Sequence, residues 1–227
     1  MDFRTEIGAS PRRDLDRGIE GEFETHLTVR AERRDRGASL GDWAAAHGLR
    51  LSRTVLDRGR TPSRPTLTLR GSGSLAEQRR ATERCVQRLA EAGFTVVRTK
   101  LVAAPWNDGV PQDDTEAAAL PAHCRFEHRV TLRLAIPYHA GRLTALVEEH
   151  RAHVSRDARR VLPGGVQERV VTQHIAGAGR LSARALLGTL LDALAGAGFR
   201  PADVHEEFVL YDDNPAADGG WVEESVE

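Results

Sequence analysis

Apolar and polar side chains alternate along residues 22–31, EFETHLTVRA. Phe23, Leu27 and Val29 fall on one side of this stretch, and polar residues stand between them. A period of two predicts a β-strand with one buried face. After Ser39, which suits the N-cap position, the apolar spacing changes to that of an α-helix.

Further patterns of the same kind complete a first unit of six elements. Strands are predicted at 49–56, 66–71 and 94–102, and a helix is predicted from Ser74 to Ala92. Glu77 stands three residues after Ser74, which is the spacing of a capping box. The resulting order, strand–helix–strand–strand–helix–strand, is typical of a ferredoxin-like unit.

The second half of the chain repeats this order and part of the sequence. Residues 40–53, LGDWAAAHGLRLSR, share Leu, His, Ser and Arg with residues 143–156, LTALVEEHRAHVSR, at a constant offset of 103 positions. AEAGF at 90–94 has a counterpart in AGAGF at 195–199. Elements that recur at a nearly fixed offset indicate an internal duplication. Strands are predicted at 125–135, 153–162, 167–177 and about 203–211, and helices at 140–152 and 182–197.

These patterns predict an α/β (α+β) fold, in which a tandem duplication of a ferredoxin-like βαββαβ unit forms one domain with pseudo-two-fold symmetry. The predicted division of the chain is a flexible N-terminal arm at 1–20, a first unit at 21–103, a linker at 104–123, a second unit at 124–211 and an acidic tail at 212–227.

Charge and composition narrow the classes of function. The formal net charge is −1 at pH 7, which does not favour a nucleic-acid-binding protein, because such proteins present a clearly basic surface. No apolar run reaches the length of a membrane span, and no signal peptide is recognisable. Cys85 and Cys124 are too few for a disulfide framework, so we expect reduced thiols and a cytoplasmic location.

The candidate chemistry lies on the strand faces that point away from the helices. Helices cover one face of a ferredoxin-like sheet, and the outward positions of this chain are rich in ionisable groups. The repeat pairs Glu24 with Glu127, so the two units could line a shared polar cleft. The predicted catalytic residues are Glu24, His26, Glu127 and His174.

Basic residues on the same face suggest that the substrate is a small phosphorylated or otherwise anionic molecule. Lys100 is the only lysine among 32 basic residues; a lone lysine either marks a position where a compact ammonium group suits better than a guanidinium or has survived by chance. The leading hypothesis is an enzyme with His26 as general acid or base. The predicted substrate-binding residues are Arg70, Arg98, Lys100 and Arg129.

The triplet His26-Leu27-Thr28 resembles the His-x-Thr motif of the two-histidine phosphoesterases, a duplicated α/β family with one such motif in each lobe. The resemblance implies a hydrolase acting on phosphoesters. The second half departs from the family pattern, since it has Arg129-Val130-Thr131 at the equivalent place and His174-Ile175-Ala176 lacks the hydroxyl.

Two alternatives remain open at this stage. A divalent metal could be bound by Glu24, His26, Glu127 and His174, because carboxylate and imidazole groups suit such ions. The chain could also be a non-catalytic module that binds a ligand or a protein partner, either through the N-terminal arm or through a sheet edge.

Overall fold

A computed structural model describes residue 15 and residues 18–30, 39–55, 63–155 and 160–215 of the chain. This part is mixed α/β, and all of its strand pairings are antiparallel. The elements in chain order are β1 Glu20–Val29, α1 Leu40–Ala46, β2 Arg50–Val55, β3 Ser63–Ser74, α2 Leu75–Glu91, β4 Val96–Ala103, α3 Asp114–Ala118, β5 Arg125–Leu134, α4 Ala140–Glu149, β6 Ala152–Val154, β7 Arg160–Val161, a 3₁₀ turn Pro163–Gly165, β8 Gln167–Ala176, α5 Arg180–Gly196 and β9 Pro201–Asp212.

A single sheet runs through the described part in the order β2-β3-β1-β4-β9-β5-β8-β6, and β7 pairs with β8. Residues 20–103, the first half, supply β2-β3-β1-β4, which is the strand order of a ferredoxin-like unit. Residues 125–212, the second half, supply β9-β5-β8-β6, the same order read from the other end. The fourth strand of each half, β4 and β9, therefore joins the two halves edge to edge.

The helices pack on one face of this sheet because their apolar stripes meet the apolar positions of the strands. In the first half, Leu27 and Leu67 of the sheet form one cluster with Ala44 of α1 and Leu89 of α2. In the second half, α4 and α5 cover Val130 and its neighbours. A third cluster, which includes Phe126 and Phe208, lies where the halves meet.

The local signals at the helix starts are confirmed. Ser39 caps α1, and Ser74 and Glu77 form the capping box at the start of α2. Most strands begin and end within two residues of their predicted bounds, and two predicted strands differ more. β3 is longer than the predicted 66–71, and the predicted strand 153–162 is seen as the short strands β6 and β7, with 156–159 outside the described residues.

Segments predicted as arm and linker contribute to the core where they are described. Leu15 and Ile19, within the predicted arm, are buried in the central cluster together with Val110 of the predicted linker. Asn107 is buried as well, and its side-chain amide accepts a hydrogen bond from the backbone N–H of Glu22 and donates one to the Glu22 carbonyl. The predicted linker also contains α3. Polar composition alone did not reveal these apolar anchors. The rest of the arm, and the tail beyond residue 215, lie outside the described residues.

None of the described helices is both long enough and apolar enough to cross a membrane.

Cys85 and Cys124 are both free and buried. Burial raises the pKa of the Cys124 thiol to about 11 and also raises that of Cys85. Because the thiolate is the reactive form, we expect neither cysteine of the native protein to react with a disulfide reagent at pH 8. Both should react at once in denaturant. Rapid labelling of a native thiol, read by mass spectrometry, would contradict this prediction.

Candidate functional site

The face of the sheet that the helices leave uncovered, here called the polar face, carries the candidate residues. Strand pairing places His26 of β1 between Thr68 of β3 and Lys100 of β4. On the other side of the β4–β9 junction, Glu127 of β5 stands between Glu207 of β9 and His174 of β8. The alternation in the sequence therefore puts these side chains on one continuous surface.

Lys100 is the centre of this surface and connects the two halves. Its Nζ donates hydrogen bonds to Oε1 of Glu127 at 2.7 Å and to Oε1 of Glu207 at 2.5 Å. All three side chains are buried, with at most 6% of any of them exposed. The cation comes from the first half and both carboxylates come from the second, so the ion pairs cross the β4–β9 junction.

Each of these carboxylates also contacts a histidine through its second oxygen. His174 Nε2 lies 3.3 Å from Glu127 Oε2, and His205 Nε2 lies 3.3 Å from Glu207 Oε2. The contact between His174 and Glu127 lacks good hydrogen-bond geometry. The side chains of His174 and His205 are 35% and 48% exposed, so both imidazoles reach solvent. The five residues form a chain, His174–Glu127–Lys100–Glu207–His205, with a histidine at each end.

The charged neighbours keep both carboxylates ionised. Burial alone would raise the pKa of Glu127, but His174 and Lys100 outweigh it, and the pKa falls to about 2. Burial acts in the same direction on Glu207, where Arg129 and Lys100 together lower the pKa well below its ordinary value. Arg129 Nη2 donates to Glu207 Oε2 at 2.5 Å. Two ionised carboxylates therefore lie beneath the two exposed imidazoles.

The first-half end of the polar face consists of Glu24, His26 and Arg70. Arg70 Nη2 is 2.8 Å from Glu24 Oε1, and His26 Nε2 is 3.7 Å from Glu24 Oε2. His26 Nδ1 contacts the Thr68 hydroxyl at 3.3 Å, whereas its buried Nε2 makes no hydrogen bond within the described part of the chain. Burial lowers the pKa of His26 to about 4, even though Glu207 acts in the opposite direction. His26 is therefore a neutral imidazole at pH 7.

Arg98 lies at the edge of the same network. It forms a bidentate pair with Asp212, through Nε at 2.9 Å and Nη2 at 2.7 Å. Arg125 Nη2 reaches Asp212 at 3.3 Å and Glu127 Oε2 at 3.6 Å. Burial raises the pKa of Asp212, but the bonds from Arg98 outweigh it and the net shift is downward. Arg98 and Asp212 form a second buried ion pair across the β4–β9 junction.

All eight residues predicted from the sequence lie on the polar face, but their partners differ from the predicted arrangement. Each of the four basic residues that were predicted to bind substrate is paired with a carboxylate of the chain. Arg70 is paired with Glu24, Arg98 with Asp212, Lys100 with Glu127 and Glu207, and Arg129 with Glu207.

The four predicted metal ligands do not come together as a set. Glu24 and His26 are in contact at one end of the polar face, and Glu127 and His174 are in contact at the other. The Lys100 ammonium lies between the carboxylates of Glu127 and Glu207, in the position that a bound cation would need. In the described residues, no group of three or more His, Cys, Asp or Glu side chains is arranged to hold a metal ion.

Sequence reasoning missed four members of the network, namely Glu207, His205, Asp212 and Arg125. A usable signal existed for the first two. Alternation along VHEEFVLY places His205 and Glu207 on the face opposite Phe208, which is an apolar residue of the central cluster. Asp212 could not be placed this way, because an irregularity in the β4–β9 pairing near Leu101 and Val102 interrupts the alternation.

Comparison with known proteins gives the chain no family. No family model and no curated protein matches it. One similar solved structure is the acetolactate synthase small subunit from Thermotoga maritima, with 13% identity, coverage of 83% of this chain and 94% of that one, and a TM-score of 0.31. Another is a provisionally assigned chlorite dismutase, with 13% identity, coverage of 89% and 100%, and a TM-score of 0.27. The fold assignment above rests on the strand order and pairing of this chain itself.

Proposed function

We propose that the polar face is the active site of an enzyme that acts on a small anionic substrate by acid–base chemistry. The observation that carries this proposal is the chain His174–Glu127–Lys100–Glu207–His205. An ionised carboxylate in contact with an imidazole is an arrangement in which histidines serve as general acids and bases. Two such pairs, joined by one lysine, open to solvent on the same surface.

The neutral His26 has a different role in this proposal. Its pKa of about 4 makes it uncharged at pH 7, and its buried Nε2 has no hydrogen-bond partner within the described residues. A neutral imidazole can donate or accept one hydrogen bond at that nitrogen. His26 would orient the substrate or polarise it, while His174 or His205 transfers the proton.

A panel of small anions tests this proposal. Thermal unfolding with sugar phosphates, nucleotides and carboxylic acids identifies ligands, and the ligands found are then assayed for turnover. We expect His174→Gln or His205→Gln to lower turnover about 100-fold to 10,000-fold, the range of general acid–base catalysis. His47→Gln is the matched control, because His47 caps the end of α1 and stacks on Trp43. Full turnover in the three variants His26→Gln, His174→Gln and His205→Gln would refute the acid–base assignment.

A second candidate function is a non-catalytic module that binds a small ligand. It is favoured by the pairing of the buried cations Lys100 and Arg98, since ion pairs of this kind can be purely structural. This candidate predicts that an anion raises the unfolding midpoint without being converted. The same panel separates the two candidates, because only the enzyme yields a product.

We further propose that the two halves arose by duplication and that they are related by pseudo-two-fold symmetry within one domain. The repeated sequences and the equal strand order of the halves support this origin. Under this proposal, β1, β2, β3 and β4 correspond to β5, β6, β8 and β9.

A further inference from the structure

Strand β9 has one open edge, although it lies in the middle of the sheet. Residues 201–209 of this strand pair with β5. On its other side, β9 pairs with β4 only over residues 208–212 in the described part of the chain. Residues 201–207, here called the open edge, therefore present a row of backbone N–H and C=O groups on that side. Such a row is a template for the addition of another strand.

The edge is open because the chain turns at the end of β4. Pro105 has no N–H to donate to a neighbouring strand, and the N–H of Asn107 donates to the Ala104 carbonyl at 3.0 Å, which closes the turn. The side chain of Asn107 then bonds to Glu22, so the chain stays beside β1 and does not continue along β9. As a result, residues 202–205 are all exposed, even though β9 is a central strand.

The side chains of the open edge match a second copy of the same edge. His205 lies on the polar face beside Glu207, and alternation puts Asp203 on that face too. Val204 points to the opposite face and is 39% exposed. In an antiparallel pair of two copies centred on Val204, each Asp203 stands opposite the partner's His205. We propose that the chain forms a two-fold symmetric dimer by pairing of its open edge with that of a second copy.

The charges of the open edge favour pairing with a second copy. Many proteins protect an exposed edge with charges that prevent pairing. Like charges directly opposite each other destabilise an antiparallel pair, and opposite charges stabilise it. Asp203 and His205 stand two positions apart, so two-fold pairing brings a carboxylate and an imidazole together twice. Between these two contacts, the apolar side chains of Val204 from both copies meet at the symmetry axis.

In this dimer, the second copy contributes a residue to the polar face. The side chain of His205 is 48% exposed and contacts Glu207 of its own chain at 3.3 Å. The partner's Asp203 would add a second carboxylate beside this imidazole. The interface itself is independent of the proposed function, but the addition of a carboxylate to the site of acid–base chemistry rests on that function.

Sedimentation velocity at protein concentrations from about 1 μM to about 1 mM tests the association. One strand pair is smaller than a standard protein interface, so we expect a dimer that dissociates on dilution. Asp203→Arg should weaken the dimer about tenfold, because it replaces two attractive cross-strand pairs with pairs that do not attract. Glu148→Arg is the matched control, since it makes the same change of charge at an exposed position of α4. We expect it to leave the dimer unchanged.

Disulfide cross-linking tests the register of the pairing. Only a residue on the symmetry axis faces its own copy, where the two Cα atoms are about 4.5–5.5 Å apart and within reach of a disulfide. Val204→Cys should therefore give a covalent dimer on mild oxidation. Asp203→Cys, one position away, and Leu181→Cys, at a 71% exposed position in α5, should give far less. The native Cys85 and Cys124 are buried and are common to all three variants.

Three results would overturn the interface. They are a monomer at every concentration, an Asp203→Arg dimer as tight as the wild type, and cross-linking of Asp203→Cys or Leu181→Cys as fast as that of Val204→Cys. Slow hydrogen exchange of the backbone amides of residues 202–206 in a monomer would show that another part of the chain covers the edge, and would also refute the dimer. Thermal unfolding verifies that each variant is folded.

The interface and the proposed function can fail separately, because sedimentation and cross-linking need no substrate. If the dimer forms as described but His205→Gln retains full turnover, the interface stands and the catalytic role of His205 fails. If turnover depends on His205 in a protein that remains monomeric, the enzyme stands and the interface is wrong.

Discussion

Replacing Lys100 with Met is expected to destabilise the fold by about 3–5 kcal/mol, the usual cost of removing one partner from a buried ion pair. The substitution leaves Glu127 and Glu207 buried without the cation that bonds to both. Arg129 still contacts Glu207, and Arg125 lies 3.6 Å from Glu127, so the loss should fall toward the lower end of this range. Equilibrium unfolding in urea measures the effect.

The first-half pair of Arg70 and Glu24 provides the control for this measurement. Arg70 is 69% exposed, and an exposed ion pair contributes about 1 kcal/mol or less. Arg70→Met should therefore change the free energy of unfolding far less than Lys100→Met. Adding Glu127→Gln and Glu207→Gln to Lys100→Met should recover part of the stability, because the unpaired charges are then removed. A loss below 1 kcal/mol in Lys100→Met would show that the network is not buried as described.

The stability of the protein is expected to fall as the pH is lowered from about 6.5 to about 4, because of His26. The pKa of His26 is about 4 in the folded chain and 6.5 in the unfolded chain. Between these values the unfolded chain binds a proton that the folded chain does not, so acid favours unfolding. A shift of this size corresponds to about 3 kcal/mol, lost progressively across that window and constant below it.

Comparison with His26→Gln isolates this effect. Groups that do not interact with His26 contribute equally to both proteins, so the difference between their stability curves belongs to His26 together with Glu207, whose charge is coupled to it. The wild-type curve should be steeper between pH 6.5 and pH 4, and parallel to the variant's above pH 7. Glu127 acts in a lower window. The pKa of Glu127 is lowered from 4.5 to about 2, so its ionised carboxylate stabilises the folded chain above pH 4.5. This stabilisation is lost progressively as the pH falls from 4.5 to about 2. Parallel curves through pH 5 would contradict the burial of His26.

The sequence predicted which residues share a face, because that information is local. A period of two is enough to place Glu24 and His26 together on β1, and a capping box is enough to start α2 at Ser74. The second half could be aligned with the first by its repeat. For these reasons the face that carries all eight candidate residues was predictable from the sequence alone.

The pairing of charges was not predictable, because it depends on contacts between distant strands. Lys100 meets Glu127 and Glu207 only because β4 and β9 join the two halves, and no local pattern specifies which strand edges meet. An exposed cluster of basic residues and a neutralised network look alike in sequence. The prediction that Lys100 binds a substrate anion therefore did not take the carboxylate of Glu207 into account. The strand at about 203–211 was predicted, but its outward-facing residues were not identified.

The ion pairs of Lys100 also bear on the amino-acid usage of the chain. Lysine is used once among 32 basic residues, so arginine is the rule in this protein. Lys100 bonds one oxygen from each of two buried carboxylates through a single nitrogen, at 2.7 Å and 2.5 Å. Arg125 Nη2, a guanidinium nitrogen that also reaches two carboxylates, lies farther from them, at 3.3 Å and 3.6 Å. A lysine codon becomes an arginine codon by one base change, and arginine stands at the other 31 basic positions. The contact between the halves makes position 100 a place where that substitution would be selected against.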